Sequence, residues 1–331
     1  MSQKTGFYRK REAGSELGTE YVTVGCNTPG DAFENLEFVV APAYGSNLCR
    51  FSVNGSNIID FDAKLLENKD YTGTPVLYPT PNRVRNAMFA YGGRLYNQIK
   101  DGEPVFEHGL VHSSPWNCGE VIISDTQAQL ATWIDFDESS ILFEAFPFKH
   151  RLQLEYRLSQ ESLGICYTIV NHDSVDIPFG FGLHPYFSKL SGDRDTFIRL
   201  PAGSVMDYTS DLLPTGRLIA VAGTVYDLRK PVNIGSLDMD HVFTDILPGE
   251  FAEIEYRTRG IKVLVQASED FSHMVLYSPR GMKYFCLENQ TCSSDAHNLY
   301  DRGFKKQSGL KFVPAGDSAS GYVKYRIMEG V

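Results

Sequence analysis

Residues 150–173 read HRLQLEYRLSQESLGICYTIVNHD. Leu152, Leu154, Tyr156 and Leu158 recur at every second position, so an extended chain puts them on one face, with arginine, glutamine and glutamate on the other. A polar turn, Ser159 to Glu161, interrupts the alternation, which resumes in Ile165, Tyr167 and Ile169. Two adjacent antiparallel strands follow from that pattern.

Similar short strand patterns recur on both sides. Residues 36–62, LEFVVAPAYGSNLCRFSVNGSNIIDFD, carry short apolar alternations broken at Gly45-Ser46 and at Asn54-Gly55, a pair suited to a tight hairpin turn. Further strands are predicted at Ala131 to Phe136, Phe251 to Tyr256, Ile261 to Gln266, Met274 to Tyr277, Tyr284 to Leu287 and Tyr322 to Ile327. No long, capped helical stripe occurs, and strands do not alternate with helices of crossover length. The predicted fold is therefore all-β, a large antiparallel β-sandwich. With no repeat, no low-complexity tract and no dividing linker, residues 1–331 read as a single domain.

Residues 1–20 are expected to form a solvated N-terminal arm, because the basic start Lys4, Arg9, Lys10 and Arg11 is broken by Gly14 and followed by acidic residues. A net charge of -10 argues against a nucleic-acid partner. No apolar run reaches membrane-span length and no hydrophobic stretch follows the first charges, so a cytoplasmic protein is expected, without membrane contact. Six cysteines lie scattered without a C-x-x-C pair, which suggests reduced, mostly buried thiols. The sequons at Asn54 and Asn289 then carry no weight.

Several chemistries are excluded by missing motifs: no glycine-rich dinucleotide loop follows a strand, and there is no Walker loop, H-E-x-x-H or G-x-S-x-G. His108 and His112 have the i, i+4 spacing of a helical metal site, but Gly109 and Pro115 argue against a helix there. No metal and no cofactor are expected.

What remains is polar chemistry set in apolar text. In PFGFGLHPYF, residues 178–187, His184 closes an aromatic run and precedes Pro185, which keeps it extended. It reads either as a core histidine satisfied by a backbone carbonyl or as an imidazole facing a cavity. Glu288, in YFCLENQT, places a carboxylate at the end of a core-like strand; such a group is either paired structurally or held for proton transfer. Arg83 in PTPNRVRN, His108 in EHGLVHSSPW and Asp240 in LDMDHVF are weaker polar anchors, each with a plain loop or turn explanation, and Asp238 competes with Asp240.

Taken in order, NRV at 82–84, HGL at 108–110, HPYF at 184–187, DHVF at 240–243 and CLENQ at 286–290 resemble the aldose 1-epimerase (galactose mutarotase) family, as does the closing VPAGDSASGYVKYRI. After His108, Leu110, Val111 and Pro115-Trp116 depart from the galactose mutarotase pattern and look more like divergent bacterial branches. The resemblance implies a β-supersandwich, acting as a monomer or homodimer, whose cleft takes a small-molecule sugar and exchanges its α and β anomers without a cofactor. It implies an isomerase in which Glu288 is the general base at the C1 hydroxyl and His184 the general acid at the ring oxygen. Arg83, His108 and Asp240 match sugar-binding positions, with Asn82 and Tyr186 beside them. Trp116 or Phe243 is expected either as a stacking wall or as a core aromatic. Two other functions fit the same scaffold. One is a hexose-6-phosphate 1-epimerase, for which His112 and Arg85 are the nearby basic candidates; the other is a non-catalytic carbohydrate-binding or sensing protein.

Overall fold

In a computed structural model, residues 6–13, 20–190 and 192–330 are described. Two large sheets dominate. The first has thirteen strands, with the spatial order Gly6–Ala13, Glu20–Asn27, Asn35–Ala41, Asn47–Val53, Ser56–Ile59, Tyr186–Ser188, Tyr284–Gln290, His273–Tyr277, Asp240–Ile246, Ala202–Tyr208, Pro214–Ala220 along its main path. The second has ten strands and is built around Ala128–Phe136, His150–Leu158, Ser162–Asn171, Ser318–Glu329, Ile261–Ala267 and Ala252–Tyr256. Among the described residues the ladders of both sheets are antiparallel throughout.

The alternation in residues 150–173 does what its period requires. Leu152, Leu154, Tyr156 and Leu158 are buried, and Ile165, Tyr167 and Ile169 of the paired strand are buried with them. Rings from the two sheets meet across the core: Phe38 stacks on Tyr156 at 5.8 Å, and Tyr325 meets Phe51 at 6.4 Å and Phe187 at 5.6 Å. Asn54 and Gly55 both adopt positive φ (48° and 74°) and turn Asn47–Val53 into Ser56–Ile59. That is the left-handed geometry a two-residue hairpin needs.

The N-terminal segment departs from expectation. Residues Gly6–Ala13 are not an unattached arm but the edge strand of the first sheet, antiparallel to Glu20–Asn27. Arg11 pairs with Glu20 at 2.7 Å and donates to the Gly119 carbonyl. Charged side chains on an exposed edge leave the backbone free to join a ladder, which a charge count cannot reveal. Lys4 and Gly14 lie outside the described residues. All six cysteines are free thiols, with Cys118 and Cys166 partly exposed and the other four buried. No helix among the described residues is long and apolar enough to cross a membrane.

Candidate active site

The site lies on the face of the first sheet turned away from the second. Along adjacent strands, alternation sends Phe187, Leu287, Phe285, Leu276 and Phe243 into the core. Their neighbours His184, Tyr186, Glu288, Val275, Tyr277 and Asp240 therefore face the other way, and all six line one cleft of about 240 Å³. Loops bring in Asn82, Arg83, His108, Glu107 and Tyr71. The seven residues expected from the sequence to act on or hold a sugar, Asn82, Arg83, His108, His184, Tyr186, Asp240 and Glu288, thus meet in a single cavity.

His184 sits between two short strands that pair with the same partner. Gly182 lies opposite Gln290 and Tyr186 opposite Cys286, so the intervening register puts His184 opposite Glu288. Pro185, with no N–H, cannot donate to that ladder, and on the opposite edge the His184 amide donates to the Pro75 carbonyl at 3.1 Å. The result is a direct contact: His184 Nε2 is 3.2 Å from Glu288 Oε1, both side chains being almost wholly out of solvent. Gln290 Nε2 donates to the other carboxylate oxygen at 2.9 Å.

Burial raises the Glu288 carboxyl well above its ordinary range; the Gln290 donation opposes this, and nearby Asp240 and Glu107 reinforce it. Burial also lowers His184 to about 4. Both groups therefore resist charging on their own, and one proton shared between Nε2 and Oε1 satisfies the pair. An acid and a base in contact, each desolvated, is an arrangement suited to moving a proton in either direction.

The rest of the wall is held by unusual backbone. Asn82 and His108 both have positive φ (60° and 62°), and the His108 amide donates to the Asn82 carbonyl at 2.9 Å. Asn82 caps its own turn by accepting the Arg83 amide at 2.8 Å. Gly109 at φ 72° passes so close to Tyr78 that a Cβ there would stand 2.2 Å from the Tyr78 carbonyl oxygen. Arg83 is the cleft's cation, 3.8 Å from Asp240 and 3.9 Å from Glu107. Asp240, not Asp238, faces the cleft; Asp238 pairs outside it with Arg280 at 3.3 Å.

Aromatic rings frame the imidazoles. Tyr186 stacks on His184 at 5.0 Å and 17°, Tyr71 lies nearly parallel to it at 6.2 Å and 8°, and His108 meets it edge-on at 5.2 Å. His108 and His184, like His112 behind Tyr71, each keep a buried Nδ1 without a hydrogen-bond partner in the protein. Trp116 and Phe243 are core residues and do not line the cleft; Tyr71, Tyr186 and Tyr277 supply its aromatic surface. Tyr71, Glu107 and Tyr277 were missed in the sequence. Glu107 directly precedes His108 and could have been found from that adjacency, whereas Tyr71 in a loop and Tyr277 on a strand give no local sign. His112 packs on Tyr71 at 4.8 Å and Arg85 turns to Asp295 at 3.6 Å, so neither lines the cleft.

Known proteins resemble this chain in sequence and in fold. The chain is 28% identical over 173 residues to the uncharacterized protein YihR of Escherichia coli, a match covering 51% of this chain and 53% of that protein. It is 27% identical over 176 residues to the galactose mutarotase of Homo sapiens, covering 51% and 48%. The chain thus spans about half the length of these curated relatives. The fold matches a galactose mutarotase-like protein from Clostridium acetobutylicum with a TM-score of 0.81 at 23% identity, covering 98% of this chain and 99% of that one. It also matches a galactose 1-epimerase from Lactobacillus acidophilus with a TM-score of 0.76 at 17% identity, each chain covered fully at 100%. The profile of the family described as Aldose 1-epimerase matches residues 34–326, which include every cleft residue named above, and the chain belongs to that family.

Proposed function

We propose that the cleft exchanges the α and β anomers of an aldohexose by opening and reclosing its ring. The observation that carries this reading is the buried contact between His184 and Glu288. Opening a hemiacetal removes a proton from the C1 hydroxyl and delivers one to the ring oxygen. With the shared proton on His184, Glu288 takes the C1 proton while His184 protonates the ring oxygen; C1 then turns, and the reverse transfers close the ring on the other face. Atoms and charge balance without an added group. Arg83, His108, Asn82 and Asp240 hold the sugar hydroxyls, and Tyr186 keeps the His184 ring in line.

Each proton transfer is worth about 10² to 10⁴ in rate. Glu288→Gln keeps the shape and a polar contact but removes the base. Anomer exchange, followed by optical rotation or exchange NMR over a panel of aldoses, should fall by about 10² or more while sugar affinity stays within a small factor. Exchange that survives in Glu288→Gln excludes this mechanism, and sugar binding without exchange in the unaltered protein would show a carbohydrate-binding role instead. A hexose-6-phosphate substrate is less well supported, since Arg85 is engaged by Asp295 and burial lowers His112 to about 4. The work is that of an isomerase in a cytoplasmic setting.

A further inference from the structure

Beside the cleft lies a second, larger cavity of about 790 Å³ that shares Tyr71 and Tyr186 with it. These are the two rings that lie parallel to His184, so the larger cavity opens on the His184 side of the catalytic pair. Its walls add Phe61, Leu65, Met282 and Tyr284, the last packed against Tyr186 at 4.9 Å. Flat rings set among hydroxyl and carboxylate groups suit the mixed surface of a sugar, whose C–H face is apolar and whose rim is polar.

From this we infer that the substrate carries a second, uncharged sugar ring on the C5–C6 side of the ring that opens, and that this cavity holds it. The inference rests on the proposal above that His184 stands at the ring oxygen. C5, with its exocyclic C6, is the ring oxygen's other neighbour, and it points to the His184 side when C1 faces Glu288. The first cavity has room for about one ring, whereas the second is about three times larger, more than a bare C6 hydroxyl would fill. Charge argues against an anionic substituent. Asp60 and Asp62 line the cavity with Lys189 and Lys283, and the Lys189 ammonium is held by Asp193 at 2.8 Å. The cavity therefore offers no surplus of positive charge.

Calorimetric binding to the Glu288→Gln protein tests the inference without requiring turnover. Glucose is compared with isomaltose (6-linked), maltose (4-linked) and glucose 6-phosphate; if galactose is the ring exchanged, galactose and its linked dimers replace them. Isomaltose should bind roughly tenfold more tightly than glucose, the order expected from covering one sugar face with an aromatic ring, and maltose should show no gain. Leu65→Trp and Met282→Trp fill the cavity from positions 40% and 44% exposed and should remove the gain while leaving glucose binding unchanged. Equal affinity for isomaltose and glucose overturns the inference, as does an equal gain for maltose or a larger one for glucose 6-phosphate. Failed anomer exchange in the unaltered protein, with the isomaltose gain intact, would remove the catalytic reading and leave the second cavity standing.

Discussion

His184 stands opposite Glu288 across a ladder to which Pro185 cannot donate, so the two proton-bearing groups are cross-strand neighbours held by sheet register. The strand Tyr284–Gln290 is fixed on its other side by His273–Tyr277, with Val275 opposite Glu288. Glu288 lies within a strand, and His184 in the two-residue break between two short strands paired with that same strand, so the 3.2 Å contact is set largely by sheet register.

The pH profile follows from that contact. In the proposed mechanism exchange needs one proton on the pair, so activity should fall when a second is added or the only one is lost. Burial lowers His184 to about 4 and raises Glu288 well above the usual carboxylate range. The rate should be level through neutral pH, with an acid limb near 4 and an alkaline limb far above that of an ordinary carboxyl. An acid limb in kcat/KM near 6.5, the unperturbed histidine value, would show that His184 is solvated in the free protein.

Two aspartates only two positions apart should separate cleanly. Asp240 faces the cleft beside Arg83, and Asp238 faces Arg280 outside it. Asp240→Asn should raise KM about tenfold or more through a weakened charged hydrogen bond, whereas Asp238→Asn should leave kinetics within about twofold. The reverse ranking in steady-state assays would relocate the sugar anchor.

Gly109 should tolerate no side chain. Alanine there meets the Tyr78 carbonyl and must also adopt φ 72°. Gly109→Ala should cost more than about 1 kcal/mol of stability, read from the midpoint of urea unfolding. Because His108 precedes it, sugar affinity should drop as well; a variant with native stability and affinity would mean that the Tyr78 segment yields freely.

Acid should unfold the protein through its histidines. Burial lowers His112, His150, His184, His273 and His297 to about 4, and His108 well below its ordinary 6.5. Their folded values are depressed, so the stability they contribute is complete above 6.5 and is lost as pH falls toward 4. Glu288 works in the opposite sense, its contribution being lost as pH rises, but it is one group against six. Tm by calorimetry should decline steadily between pH 6.5 and 4; a flat Tm over that interval would contradict the burial of these rings.

How far the chain could be read in advance depended on the range of the signal. Period-two alternation is local, so the strands around Leu154 and Tyr167 were legible, as was the Asn54-Gly55 turn. His184 and Glu288 were conspicuous because a polar group in apolar text is costly without a partner, yet their pairing depends on a register set by residues a hundred positions apart. Tyr71 and Tyr277 carry no such local oddity, and only the folded sheet brings them to the cleft. The edge strand Gly6–Ala13 was hidden because its outward charges mask a backbone that pairs.

That edge strand has a bearing on how copies of the protein meet. An unpaired strand at a sheet margin is a template on which another chain can grow, and charged side chains are a means of blocking such growth. Arg9, Lys10, Arg11 and Glu12, all exposed, stand on the strand that ends the first sheet among the described residues. Charges at this margin work against edge-to-edge growth, so replacing them with apolar residues would turn the strand into a surface inviting another chain.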